Sequence, residues 1–154
     1  MKILKSKRSE QTLHLGEQMG KNISKGICIA LNGELGAGKT TFVQGFAKGM
    51  GVSEKYYITS PTYNIINEYP AGALTLCHLD LYRLESEEEL ETIGFEDLID
   101  DTHVIIVEWP QILKSISFNF EIEINFKFDE HYNREICIFP SGQTGSNLLS
   151  KLAL

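Results

Sequence analysis

Residues 33–40 read Gly-Glu-Leu-Gly-Ala-Gly-Lys-Thr, a complete match to G-x-x-x-x-G-K-[ST]. Glycines at this spacing let successive backbone N–H groups turn inward around an anion, and a helix opening at the end of the loop adds positive potential there. The backbone of Glu34, Leu35, Gly36, Ala37 and Gly38 would form the cradle. In such a loop Lys39 reaches the β and γ phosphates, Thr40 gives its hydroxyl to Mg²⁺, and Thr41 approaches the α phosphate. The cofactors expected are ATP and Mg²⁺.

A phosphate loop also needs a carboxylate at the end of a neighbouring parallel strand, so that the cation is held from the opposite side. Glu108 fits, because it closes the apolar run Val-Ile-Ile-Val at 104–107. Asp80, in His-Leu-Asp-Leu-Tyr-Arg at 78–83, is a second candidate, either water-orienting or metal-linked. Strand alternation would place His78, Asp80 and Tyr82 on one face, away from Leu79 and Leu81. His78 by itself reads as a satisfied structural histidine. Residues 59–63, Thr-Ser-Pro-Thr-Tyr, lie where nucleotide-sensing loops sit in phosphate-loop enzymes, and Thr62 offers a hydroxyl for the γ phosphate. A plain proline turn into a strand is the other reading. Trp109, the only tryptophan, follows Glu108 directly and is either a nucleotide reporter or an aromatic anchor.

The elements that must position these residues are legible in outline. A helix capped by Ser9 should run to about Lys25-Gly26, followed by a strand at 27–31 (ICIAL) that is apolar enough to be covered on both faces. After the loop, Phe42, Val43, Phe46, Ala47 and Met50 keep a helical period that Gly51 ends. Residues 64–69 and 74–79 flank a four-residue loop and predict a hairpin. Ser86 and Glu89 make a capping box, with a second helical turn at 95–99 beyond Gly94. The five carboxylates among residues 85–91 then form the solvated face of that helix rather than a metal site. Strict alternation at 118–128 predicts a half-buried antiparallel strand answered by 134–139, and a short helix should start at Ser146. The expected fold is α/β, a three-layer P-loop-like arrangement with a central mixed sheet flanked by helices, spanning 1–154 as one domain.

Composition excludes several classes. With 154 residues, 42% hydrophobic and 23% charged, the chain is neither disordered nor coiled-coil, and no apolar run approaches the ~18 residues of a membrane span. A cytoplasmic location without membrane contact is expected. The three cysteines, Cys28, Cys77 and Cys137, sit in apolar strand-like stretches and read as buried free thiols. Net charge is −7, which disfavours unaided binding to a phosphate backbone. Residues 1–55 nevertheless carry nine Lys/Arg against four Asp/Glu. Four of these cations, Lys2, Lys5, Lys7 and Arg8, are expected in a solvated tail.

Taken in order, GELGAGKTTFVQGFAKGMG, TSPTYNIINEY, HLDLYRLE, IGFEDLI and VIIVEWP resemble the bacterial TsaE (YjeE) family, from about Ser9 to the last hairpin. These small ATPases are required for making threonylcarbamoyladenosine at position 37 of transfer RNA. The resemblance implies ATP binding by Gly36 to Thr41, Mg²⁺ on Thr40 and Glu108, and a catalytic or structural role for Asp80. It also implies that Thr12 lies near the adenine and that Arg134 is a hairpin residue approaching the nucleotide. The implied partners are TsaD and TsaB, which hold the transferase site, with transfer RNA met only indirectly through that complex. A small-molecule kinase would share the loop and sheet, but such enzymes ring the transferred phosphate with arginines and this chain has only Arg8, Arg83 and Arg134. A GTPase would need an NKxD string, which is absent.

Overall fold

In the computed structural model, which describes residues 1–152, one seven-stranded sheet has helices on both faces. The strands are β1 (Lys2–Ser6), β2 (Ile27–Asn32), β3 (Ile66–Ala71), β4 (Leu74–Asp80), β5 (His103–Glu108), β6 (Ile122–Phe128) and β7 (Arg134–Pro140), in the order β1-β7-β6-β2-β5-β4-β3. The pairs β4–β5, β5–β2 and β2–β6 are parallel, and antiparallel pairs flank them. The mixed sheet expected from the sequence is therefore present. Its centre, β2, is buried over its first five residues, which is why ICIAL shows no polar alternation.

Two helices, α1 (Ser9–Lys21) and α2 (Lys39–Met50), cover one face with the larger apolar cluster, built on Met19, Ile29, Leu31, Phe42, Phe46, Ile106 and Ile124. The last helix, α5 (Gly142–Ser150), adds Leu148 and Leu149 to it. The other face is covered by α3 (Glu87–Thr92), a 3₁₀ turn at Phe95–Leu98 and α4 (Gln111–Ser115), over Leu79, Leu81, Ile105, Val107 and Leu113. The contact between α1 and α2 depends on paired glycines. An added Cβ at Gly16 or Gly20 would stand 2.2 Å from a backbone oxygen of α2, and one at Gly45 or Gly49 would stand 1.9 or 2.2 Å from a backbone oxygen of α1. Only residues without a side chain let the two backbones approach so closely.

Several expectations are corrected. Residues 2–6 are not a solvated tail but the edge strand β1, paired with β7 from Lys2↔Ile138 to Ser6↔Arg134. Lys5, Lys7 and Arg8 are exposed, as expected, and lysines on an edge strand discourage further pairing. Arg8, not Ser9, occupies the N-cap of α1, and the Gln11 side chain accepts the Lys7 N–H at 2.7 Å. That helix stops at Lys21, four residues early, because Asn22 leaves helical geometry. The first hairpin turns on two residues, Gly72 and Ala73, with Gly72 at φ +64°. The strand expected at 118–128 pairs only from Ile122, on one side parallel to β2 and on the other antiparallel to β7. Phe118 and Phe120 keep the alternation but pack with Phe95 beneath the opposite face. The C-terminal helix begins at Gly142 rather than Ser146, and α4 was not expected. Glu89 accepts the Ser86 N–H at 3.1 Å as foreseen, and the carboxylates at 85–91 are exposed. All three cysteines are buried free thiols.

Candidate functional site

The chain leaves β2 at Asn32, winds through the glycine loop and enters α2 at Lys39, with Gly38 at φ +106°. A side chain there would be strained, and its Cβ would also meet Arg134 Nε at 3.1 Å. Strand register completes the arrangement. Leu31 on β2 pairs with Glu108 on β5, and Glu108 pairs with Asp80 on β4, so both carboxylates stand at the strand ends beside the loop. Both are buried. A buried carboxylate is costly unless it is bonded or paired, and each is bonded here.

Thr40 Oγ1 donates to Glu108 Oε1 at 3.3 Å, and His78 Nε2 lies 2.8 Å from the same oxygen. With Glu108 as a carboxylate, Nε2 is the donor and fixes the tautomer. His78 is fully buried and its Nδ1 has no partner among the described residues. Asp80 accepts the Ser60 hydroxyl at 3.0 Å on Oδ2 and the Tyr82 N–H at 3.0 Å on Oδ1. Thr62 Oγ1 donates to Ser60 Oγ at 3.4 Å, which ties residues 59–63 to the strand end.

Lys39 is held within the loop. It is only 5% exposed rather than standing on an open loop. Its Nζ donates to the carbonyls of Gly33 at 2.6 Å and Glu34 at 2.9 Å, and lies 4.7 Å from the centre of the Trp109 ring. Burial pulls the Lys39 ammonium below the ordinary lysine range, while the Glu108 and Asp80 charges act in the opposite sense. Trp109 is held at φ +55°, a conformation rare outside glycine, and its ring lies 5.0 Å from that of Tyr82.

These groups surround one cavity of about 440 Å³ lined by Gly36, Gly38, Lys39, Thr40, Thr41, Ser60, Thr62, Asp80, Tyr82, Glu108, Trp109, Leu35 and Arg134. Leu35 is 90% exposed at its rim. Arg134, from the start of β7, donates through Nε to the Ala37 carbonyl at 3.0 Å. Three residues of the expected set stand apart, and of these Ala37 is buried and does not line the cavity. Glu34 borders a neighbouring cavity instead. Thr12 is fully buried and bonded to Ser6 Oγ at 2.9 Å, so only its methyl group lies toward Gly38. Sequence reasoning had not singled out Ser60 as a partner of Asp80, nor His78 as a partner of Glu108. For His78 the signal was a polar residue inside an apolar strand, on the same face as Asp80.

Comparisons with known proteins place the chain in a family. A family model described as "Threonylcarbamoyl adenosine biosynthesis protein TsaE" matches residues 6–136. A protein of Nostoc sp. named "tRNA threonylcarbamoyladenosine biosynthesis protein TsaE" is 38% identical over 144 residues, covering 92% of this chain and 87% of its own length. A Bacillus subtilis protein of the same name is 34% identical, with 94% and 89% covered. The crystal structure of Bacillus subtilis YdiB superposes with a TM-score of 0.76 at 28% identity, covering 97% of this chain and 93% of that one. Among the described residues no helix is long and apolar enough to cross a membrane. The chain has a nucleotide-binding P-loop fold and belongs to the TsaE family of threonylcarbamoyladenosine biosynthesis proteins.

Proposed function

We propose that the chain binds Mg-ATP in the 440 Å³ cavity and hydrolyses it, and that this turnover drives a TsaD–TsaB partner pair through its cycle of transfer RNA modification. The observation that carries the reading is the convergence of Lys39, Thr40, Asp80 and Glu108 on one cavity at the ends of β2, β4 and β5. The donor set suits Mg²⁺: the Thr40 hydroxyl and Glu108 carboxylate already face each other at 3.3 Å, and a hard cation takes oxygen ligands. Bound there, the ion would neutralise charge on the β and γ phosphates.

The chain's own residues would do the rest. Backbone N–H groups of Gly36 to Thr41 cradle the phosphates, and Lys39 exchanges the Gly33 and Glu34 carbonyls for phosphate oxygens. Thr41 approaches the α phosphate. Asp80, oriented by Ser60 and Tyr82, positions the attacking water, and Thr62 meets the γ phosphate. His78 keeps Glu108 aimed at Thr40. Arg134 braces the loop from the cavity wall, beside the nucleotide, while Thr12 shapes the adenine side from beneath Gly38.

Hydrolysis is favoured over phosphoryl transfer to a small molecule because Arg134 is the single arginine that lines the cavity, and its Nε is bonded to the Ala37 carbonyl; Arg83 stacks 4.5 Å over the Tyr63 ring. The same feature makes the isolated chain slow and leaves stimulation to the partners, with transfer RNA reached only through the complex. The test is ATP hydrolysis by the full chain alone and with the partner pair, alongside threonylcarbamoyladenosine formation. Slow hydrolysis that rises with the partners is expected. Absence of hydrolysis in both arms, or nucleoside formation indifferent to this chain, would refute the reading.

A further inference from the structure

Away from the nucleotide cavity, three adjacent strands bring three different ligating side chains to one spot. Glu68 on β3 pairs directly with Cys77 on β4. His103, the first residue of β5, pairs with Thr75, two residues before Cys77, so alternation puts Cys77 and His103 on the same sheet face. A carboxylate oxygen of Glu68, the sulfur of Cys77 and a ring nitrogen of His103 all lie within 4.8 Å of one another. Their exposure is graded: Cys77 is buried, His103 half-buried and Glu68 exposed, so the set opens outward from the thiol.

His103 is also held as a metal-binding histidine is held. Its Nδ1 lies 2.7 Å from Asp100 Oδ1, and that oxygen accepts the N–H groups of Thr102 at 2.7 Å and His103 at 2.9 Å. A carboxylate on one ring nitrogen fixes the tautomer and leaves the Nε2 lone pair free for a cation.

We propose that Cys77, His103 and Glu68 form a site for a borderline-soft divalent cation of the zinc type, with Asp100 as the partner that orients the histidine. Cysteine sulfur, imidazole and carboxylate together match zinc and not Mg²⁺ or Ca²⁺, which take oxygen. Ligand atoms around tetrahedral zinc stand roughly 3.5 Å apart, so the three side chains converge by about 1 Å, within reach of side-chain rotation. A water takes the fourth position. On binding, the thiol proton, which now points toward Glu68 Oε1 at 3.8 Å, leaves for solvent and the sulfur coordinates as thiolate. The cation ties β3, β4 and β5 together, and these strands carry Asp80 and Glu108 at their far ends. Its face of the sheet is the one opposite α1 and α2, and none of its three ligands lines the nucleotide cavity.

The test uses the full-length chain freed of metal with chelator, titrated with Co²⁺ as the probe and then with Zn²⁺ as competitor. A sulfur-to-cobalt charge-transfer band that saturates at one equivalent and is displaced by Zn²⁺ is expected. Cys77→Ala should abolish the band, and Asp100→Asn should weaken Zn²⁺ binding about tenfold or more. His103→Gln and Glu68→Gln, at positions outside the apolar core, should weaken it at least as much. They decide the matter if Cys77→Ala fails to fold. Absence of the band, its survival in folded Cys77→Ala, unchanged affinity in both His103→Gln and Glu68→Gln, or loss of binding in Glu108→Gln instead would overturn the assignment.

Discussion

Helix α2 lives in two environments that ask opposite things of glycine. At its start, Gly36 has φ +78° and nothing within 4 Å of where a Cβ would be, and Gly38 has φ +106° beside an open cavity. Glycine is used there for its backbone freedom. Along the rest of the helix, Gly45 and Gly49 meet α1 with no room for even one carbon. Glycine is used there for its size. The contrast shows how the site is kept both open and exact in position: the first turn, Lys39 to Thr41, faces the cavity, while the turns behind it are locked to α1 and to the sheet through Phe42 and Phe46.

The locked region should break hardest. Gly45→Ala places a carbon 1.9 Å from the Leu13 carbonyl oxygen and forces the helices apart. The gain in helix propensity is only about 1 kcal/mol, and the overpacking should outweigh it by several-fold, a loss of about 4 kcal/mol in chemical denaturation. A Gly45→Ala protein with unchanged denaturation midpoint would remove the lock from the account. In the open region the largest effect is on chemistry. Glu108→Gln keeps the side chain's shape but weakens its hold on Mg²⁺, so turnover should fall about 10²-fold with little change in stability. Trp109 lines the same cavity, so its emission should change saturably with Mg-ATP in the wild type and less in Glu108→Gln. Emission indifferent to Mg-ATP at a filled site would make Trp109 a packing anchor only.

Gly36→Ala sharpens the contrast, because nothing obstructs the new methyl group and only the positive φ opposes it. Stability should fall by about 1 kcal/mol, far less than for Gly45→Ala, while ATP affinity drops more visibly. The smallest effect is expected at Glu17, which pairs with Lys21 on its own helix at 2.7 Å and bridges to Lys48 on α2 at 3.3 Å. Hydrogen bonds from Lys21 and then Lys48 hold its carboxyl below the ordinary value. Its stabilisation is therefore present above the ordinary carboxylate range and is lost as pH falls through the lowered folded value. Glu17→Gln should be slightly less stable than the wild type at pH 7, with the gap closing in acid. A gap that widens in acid would reverse the sign of this bridge.

The loop was legible because its residues are contiguous, and Glu108 because a charged residue ending VIIV stands out against four apolar ones. Asp80 followed from alternation, which put it on one face with His78 and away from Leu79, although β4 ends at Asp80 and Tyr82 lies beyond the strand. The α1–α2 lock was not read, although its signal was present as two glycine pairs four residues apart, 16/20 and 45/49. Burial of Lys39 depends on Trp109 adopting φ +55°, which no local pattern announces. Arg134 reaches the loop only because β7 lies beside β6 and β1, a long-range pairing that spacing along the chain does not specify. The edge strand β1 was hidden by its lysines.

The central claim is that Lys39 acts on a phosphate in the cavity, and single-turnover hydrolysis of Mg-ATP by the wild type and Lys39→Ala tests it most directly. Circular dichroism and the denaturation midpoint serve as the check on folding. Among the described residues the Lys39 ammonium hydrogen-bonds the loop carbonyls of Gly33 and Glu34 and lies 4.7 Å from the Trp109 ring centre, so its removal should leave the fold intact. The account predicts a folded Lys39→Ala protein whose hydrolysis is lower by about 10²- to 10³-fold. A folded variant that hydrolyses ATP at the wild-type rate would contradict it.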